Sequence, residues 1–373
     1  MDKAKYCDLD LVVRGACVID GSGGKAFRSD VGVRRGRIEA LGDLSQARSR
    51  RLIAAAGRFV APGFIDIHSH SDYALLVDPR AESKVRQGVT TEVVGNCGSS
   101  AAPLYGAKRA RVKSQNRSLA LSWFTLGGYR RRLMERGTAL NVVSLTGHGN
   151  LRGAAIGYDP RPASRAELRK MLSLLGRSLE EGSRGLSTGL IYPPGIYAGF
   201  RELRDLAALA AREGGIYAPH LRSESDRVEE AVAEAIRLAE AAGVSLQISH
   251  LKTQGRRNWR RLDGCFRLIE SARSRGVAVH CDRYPYTASS TDLDVLLPDW
   301  TYAGGNEAEI SRLSDPRLRE RIKQGIVWTD WEAAVVSRVS GTTGRWMEGK
   351  SVGAIARRRR QAPAACLLAV LRE

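Results

Sequence analysis

The sequence predicts an α/β protein, a (β/α)8 barrel of parallel strands that falls one strand short, preceded by a small β unit. Three observations carry this reading. From residue 63 onward, short apolar runs alternate with helical patterns, the texture of parallel βαβ repeats. His220, His250 and His280 are each thirty residues apart, so the repeat is regular. All six histidines (68, 70, 148, 220, 250 and 280) fall at or near the carboxyl ends of the apolar runs. In a barrel, that end of the strands is where active sites are assembled. A doubly wound sheet is the competing architecture.

Taken in order, residues 8 to 62 read as short strands: DLVVRGACVID, DVGVRRGRIEALG and RRLIAAAGRFVAPG, separated by turn signals such as Gly21-Ser22-Gly23-Gly24. Residues 1–62 are therefore expected to form part of a small β unit, and 63–373 the barrel. The barrel strands are expected at 64–68, 90–95, 141–147, 184–189, 215–220, 244–250 and 277–282. Between them, PASRAELRKMLSLLGRSLEEG offers a capping box, Ser164 with Glu167, followed by apolar residues at helical spacing. SDRVEEAVAEAIRLAEAAG puts Val228, Val232 and Ile236 on one stripe and stops at Gly243. RLIESARSRG ends in the same way before Gly276.

Composition narrows the function classes. At 373 residues and 43% hydrophobic content the chain is globular. It has no apolar run of ~18 residues that could span a membrane. The opening MDKAKYCDLDLVVRG lacks the apolar segment and cleavage site of a signal peptide, so a cytoplasmic location is expected. The six cysteines (7, 17, 97, 265, 281 and 366) include no CxxC and fit free thiols better than a disulfide framework. The net charge of +19 is spread from end to end. Its densest run, ARRRRQAP, lacks interleaved aromatics. The charge is therefore read as solvated surface, with no nucleic-acid partner and no membrane partner expected.

The chemistry begins at GFIDIHSHSD. Strand side chains alternate, so His68 and His70 share a face and can converge on one ion. An HxH alone also fits chance or a hydrogen-bonded core. With His220 and His250 on later strand ends, the metal reading is preferred. Cys97, in VVGNCGSS, is either a small buried thiol or a thiolate shared between two cations. Imidazole and thiolate together favour zinc, though other transition metals have the same donors available. His148 and His280 are read as packing or hydrogen-bonding residues. A metal so held would polarise a carbonyl and acidify water, which is hydrolytic chemistry at an amide or ester. Asp66 and Asp72 flank the HxH, but neither has the position wanted for a proton shuttle.

The segments APGFIDIHSHSD, QGVTTEVVGNCGSS, GLIYPP, GGIYAPHLRSE, ISHLK and DRYPYTASST occur in the order seen in N-acyl-D-amino-acid deacylases (D-aminoacylases) of the amidohydrolase superfamily, and the chain resembles that family over nearly its whole length. The resemblance implies a metal-bearing barrel of the amidohydrolase type beside a small β-sandwich built from both chain ends. It implies one firmly held Zn2+ on Cys97, His220 and His250, and a weaker site on His68 and His70 with Cys97 bridging. The fourth strand, RGLSTGL, has no lysine to be carboxylated as a bridge, which supports the cysteine in that role. Tyr192, Lys252 and Tyr284, with Ser290 and Arg222, would meet the substrate's carboxylate and amide. The implied reaction is hydrolysis of an N-acyl-D-amino acid to a carboxylate and a free D-amino acid. Other amides, such as dipeptides or cyclic amides, and a non-catalytic metal-binding remnant are the alternatives.

The sequence departs from the family at one place. The family's eighth strand carries a GSDG-like segment whose aspartate serves as metal ligand and general base, and no such segment occurs here. After an insertion around residues 300–345, the chain reaches Glu373 where that strand is expected. The expectation is a C-terminally truncated member with impaired turnover, which leaves room for a separate C-terminal fragment as partner.

Overall fold

The computed structural model of the chain describes residues 9–115, 119–339 and 342–373; Cys7 lies outside them. The chain folds as two compact units, Met1–Ile65 with Arg86–Thr90, and Asp66–Val85 with Thr91–Glu373.

The first unit is a sheet of β1 (Leu9–Val18), β2 (Phe27–Arg34), β3 (Arg37–Gly42), β4 (Ser49–Ala54) and β5 (Phe59–Val60). Its order is β3-β2-β1-β4, with β5 also pairing β1. The apolar run expected as one strand over 30–42 is split by a tight turn. Arg35 and Gly36 both take positive φ, 51° and 74°, and β2 folds back antiparallel on β3. That left-handed pair suits a two-residue hairpin.

The second unit is the α/β part. Its strands are β6 (Phe64–Asp66), β7 (Val89–Val94), β8 (Asn141–Ser144), β9 (Thr146–Gly147), β10 (Gly185–Gly189), β11 (Ile216–His220), β12 (Ser245–Ile248) and β13 (Val279–Cys281); the unit boundary runs through β6 and β7. They follow the order β6-β7-β8 and β9-β10-β11-β12-β13. β7 pairs β8 in parallel, and β9 through β13 are parallel throughout. The run expected at 141–147 is one strand interrupted at Leu145, whose N–H still donates to Val94 while Thr146 pairs with Leu186. Seven strand positions thus follow in sequence order, and among the described residues β6 and β13 each have one strand neighbour.

Helices between the strands bury the faces their spacing predicts. Helix Arg165–Glu180 starts at the Ser164–Glu167 capping box. Helix Val228–Ala242 buries Val228, Val232 and Ile236 and ends at Gly243 in the left-handed region, φ 65°. Leu175, Leu203, Leu206, Val232 and Ile269 from the helices close on Leu186, Tyr217, Leu246, Ile248 and Val279 from the strands. This apolar layer is the foundation that fixes where the strand ends point. In the region read as an insertion, helices Asn306–Ser314 and Pro316–Gly325 share a separate core with Leu367 and Leu368. No helix among the described residues is long and apolar enough to cross a membrane.

Candidate metal centre at the strand ends

The carboxyl ends of β6, β7, β11 and β12 bring five side chains of the second unit together. Two groups share Cys97: His68, His70 and Cys97, and Cys97, His220 and His250, with the candidate ligand atoms of each group within 4.8 Å of one another. The Cys97 Sγ lies 3.4 Å from His68 Nε2 and 3.3 Å from His250 Nε2. The His68 ring is 5.2 Å from that of His70 and 4.7 Å from that of His250, and His220 is 4.5 Å from His250.

The backbone around the cluster explains how the sulfur reaches the axis. Cys97 and His250 both adopt positive φ, 51° and 37°, which costs a non-glycine residue of order 1–3 kcal/mol and persists only when its surroundings hold it. Here the surroundings do hold it. Ser187 on β10 accepts the Gly98 N–H at 3.1 Å and donates to the Gly95 carbonyl at 2.5 Å, stapling the Cys97 loop to the neighbouring strand. A Cβ on Gly98 would meet the Gly189 nitrogen at 2.5 Å, so this close approach requires glycine.

Two carboxylates that sequence reasoning did not single out complete the arrangement. Glu224 Oε1 is 2.9 Å from His250 Nδ1 and 2.5 Å from Lys252 Nζ, and Oε2 is 3.5 Å from His220 Nε2. Asp282, just past β13, accepts the His250 N–H at 2.7 Å and a Gln247 amide N–H at 2.8 Å, and sits 3.4 Å from His68 Nδ1. The cluster is therefore symmetric in its logic: each of His68 and His250 turns Nε2 to the sulfur and Nδ1 to a carboxylate. The faint sequence signals were Glu224 four residues after His220, and Asp282 at the end of an expected strand.

Electrostatics fit a cation at the centre. His220 is buried, neither ring nitrogen has a hydrogen-bond partner among the described residues, and burial pulls its pKa down to about 3, leaving a neutral imidazole with a free lone pair. Burial, reinforced by Glu224, pushes the Cys97 thiol well up, so only a nearby cation would make it a thiolate. Burial also pushes Glu224 up, but the His250 hydrogen bond and the Lys252 ammonium work against it and keep the carboxylate ionised. Neutral nitrogens, one sulfur and flanking carboxylates form a donor set suited to zinc.

The other expected site residues take varied places. Tyr192 sets its ring 5.0 Å from His220 and its hydroxyl 2.8 Å from Thr291. Lys252 is 3.2 Å from His250 Nδ1, and its ammonium is 5.8 Å from the Tyr284 ring. Ser290 is exposed on the loop that carries Thr291. Arg222 instead clamps Glu234 and donates to the Ile196 and Ala198 carbonyls at 3.0 and 3.1 Å, bracing the loop that follows Tyr192. His148 is fully buried and bonded to Glu202 at 2.7 Å, whereas His280 is exposed on β13. Asp66 accepts the His68 backbone N–H and pairs with the Lys84 ammonium, and Asp72 is buried and accepts the Ala101 N–H at 3.2 Å.

Comparison with known proteins places these features in context. Residues 51–262 match the model of the amidohydrolase family. The chain is 42% identical over 293 residues to N-acyl-D-glutamate deacylase of Alcaligenes xylosoxydans xylosoxydans, an overlap of 78% of this chain and 59% of that protein. It thus spans about three fifths of that relative's length. Its fold is similar to N-acyl-D-glutamate deacylase from Bordetella bronchiseptica complexed with zinc and a phosphonate inhibitor, with TM-score 0.79 and 33% identity over 97% of this chain and 70% of the other. It is similar to the same degree to a D-aminoacylase structure concerned with a binuclear metal centre, with TM-score 0.80 and 31% identity over the same 97% and 70%.

Proposed function

The chain belongs to the amidohydrolase family, and from that premise we propose that it is a zinc-dependent hydrolase acting on the amide bond of N-acyl-D-amino acids. The observation that carries the proposal is the Cys97 sulfur held between two imidazoles, with the buried His220, whose ring nitrogens make no hydrogen bond among the described residues, beside it. In this reading Cys97, His220 and His250 would hold the tighter zinc, and His68 and His70 with Cys97 would hold a weaker second one. Residues 1–62 are read as the N-terminal part of a small β-sandwich, and 63–373 as the barrel with an insertion around 300–345.

Held by these residues, zinc would supply Lewis acidity that polarises an acyl carbonyl and lowers the pKa of water toward ~7. The chain's own residues do the remaining work. Glu224, 2.9 Å from His250 Nδ1, would hold the tautomer whose Nε2 lone pair faces the centre, and Asp282 lies 3.4 Å from His68 Nδ1 on the side away from the sulfur. In this reading Tyr192 and Tyr284 would donate hydrogen bonds to substrate oxygens, with Lys252 and Ser290 as further polar partners. Arg222 holds the Tyr192 loop in place. Among the described residues, the carboxylates at the cluster are committed to histidines or to Lys252. None is placed to shuttle a proton to the leaving amine. The 373-residue chain is therefore expected to bind metal and substrate more effectively than it turns substrate over.

The test is amine release from N-acetyl-D-amino acids and their L-enantiomers by the zinc-loaded chain. Slow, D-selective release that is abolished by a chelator and by Cys97→Ala supports the proposal. Hydrolysis that survives both treatments, or that prefers the L-series, rejects it. Turnover at the rate of a full-length deacylase would reject the expectation of impairment alone.

A further inference from the structure

The two halves of the histidine cluster are held by different means. His220 closes β11, and His250 follows β12 with its backbone N–H tied to Asp282. The segment carrying His68 and His70 has already left the sheet, because β6 ends at Asp66. A short irregular run keeps ligand side chains in place only when its other groups are fixed by bonds of their own.

Those bonds are present. In the run His68-Ser69-His70-Ser71 the two imidazoles enter the cluster, while both serine hydroxyls bond carboxylates that take no part in it. Ser69 Oγ donates to Asp66 Oδ2 at 2.8 Å, and Ser71 Oγ donates to Glu92 Oε2. Asp66 Oδ1 accepts the His68 N–H at 3.1 Å, and the Ser69 N–H donates to the Val93 carbonyl of β7 at 3.0 Å.

Lys84, on the short helix Glu82–Val85, joins these bonds into one net. Its ammonium donates to Asp66 and to Ser69 Oγ, the latter at 2.9 Å, and lies 3.4 Å from Glu92 Oε1. Glu92 is fully buried, and a carboxylate so placed is tolerated only beside a cation. Through Asp66, Ser69 and Glu92 the lysine reaches the loop before, between and after the two histidines. Among the described residues Lys84 makes no hydrogen bond or ion pair to Cys97, His220 or His250, nor to Glu224 or Asp282.

We propose that Lys84 is a positioning residue for the weaker metal site: it keeps His68 and His70 aimed at Cys97, and leaves the site of Cys97, His220 and His250 to Glu224 and Asp282. This assignment rests on the two-site metal reading given above.

Calorimetric titration of the metal-free chain with zinc, on unmodified, Lys84→Met and Ser69→Ala chains with matching circular dichroism, makes the test. Two binding steps are expected of the unmodified chain. In Lys84→Met the second step weakens by about tenfold, the lower end of what a lost outer partner costs, while the first stays within about threefold. Ser69→Ala keeps both ion pairs and removes only their hydrogen bond to the loop, so it carries the test if Lys84→Met does not fold, with the same selective loss expected. Equal weakening of both steps, or a second step that neither substitution changes, overturns the role of Lys84 and leaves the metal reading standing. A single step in the unmodified chain overturns the two-site reading and this inference with it.

Discussion

Replacing Glu224 by glutamine probes the electrostatic logic of the centre without touching a metal ligand. The carboxylate accepts from His250 Nδ1 at 2.9 Å and from Lys252 at 2.5 Å, and approaches His220 Nε2 at 3.5 Å. A glutamine of nearly the same size keeps one acceptor oxygen and loses the charge. His250 then becomes a weaker donor, and the Lys252 ammonium faces the cluster without compensation. Loss of such an outer partner typically costs about 10–100-fold in metal affinity, or ~1.4–2.7 kcal/mol. Because Glu224 serves three neighbours at once, the upper part of that range is expected. A competition titration of zinc against a chromophoric chelator, on unmodified and Glu224→Gln chains with matching circular dichroism, measures the difference directly. Affinities within about threefold of each other would refute the claim that this carboxylate sets the tautomer and basicity of His250.

Other consequences lie away from the metal. Arg152 is fully buried and bonds Glu202 at 2.9 and 2.6 Å, so Arg152→Met removes the charged partner of a buried carboxylate, leaves it with the His148 imidazole, and should destabilise the fold by about 3–5 kcal/mol, read as a lower denaturant midpoint at constant m. Burial and the charge of Asp294 raise Glu309 to about 7, above its ordinary 4.5, against the opposing pull of Arg111 and Arg312. Between those pH values the folded chain keeps a proton the unfolded chain has released, so this group's contribution to stability falls as pH rises from about 4.5 to 7. Thermal unfolding across that window should be flatter in Glu309→Gln, and an unchanged slope would count against the burial of that carboxyl.

Much of the framework was legible because it depends on local pattern. Alternating apolar runs placed every strand of the α/β unit to within a few residues, and the capping box at Ser164 and stop at Gly243 fell where propensity puts them. The convergence of His68, His220, His250 and Cys97 was readable because strand ends in a parallel barrel share one rim. What escaped was set by contacts between distant segments. Glu224 and Asp282 are ordinary carboxylates until Lys252 and His68 arrive beside them, 28 and 214 residues away. Arg222 sits two residues after a candidate ligand and reads as a site residue, yet a helix glutamate and two loop carbonyls claim its guanidinium. The split of residues 30–42 into a hairpin hinged on Arg35 at positive φ, a conformation an arginine does not advertise.

The central claim is that Cys97 supplies sulfur to a bound cation, and zinc K-edge X-ray absorption on the chain loaded with one equivalent of zinc measures this most directly. One sulfur neighbour is expected at about 2.3 Å among nitrogen and oxygen neighbours at about 2.0–2.1 Å, with the sulfur contribution absent in Cys97→Ser. A spectrum with only nitrogen and oxygen neighbours, or one that Cys97→Ser leaves unchanged, would contradict it.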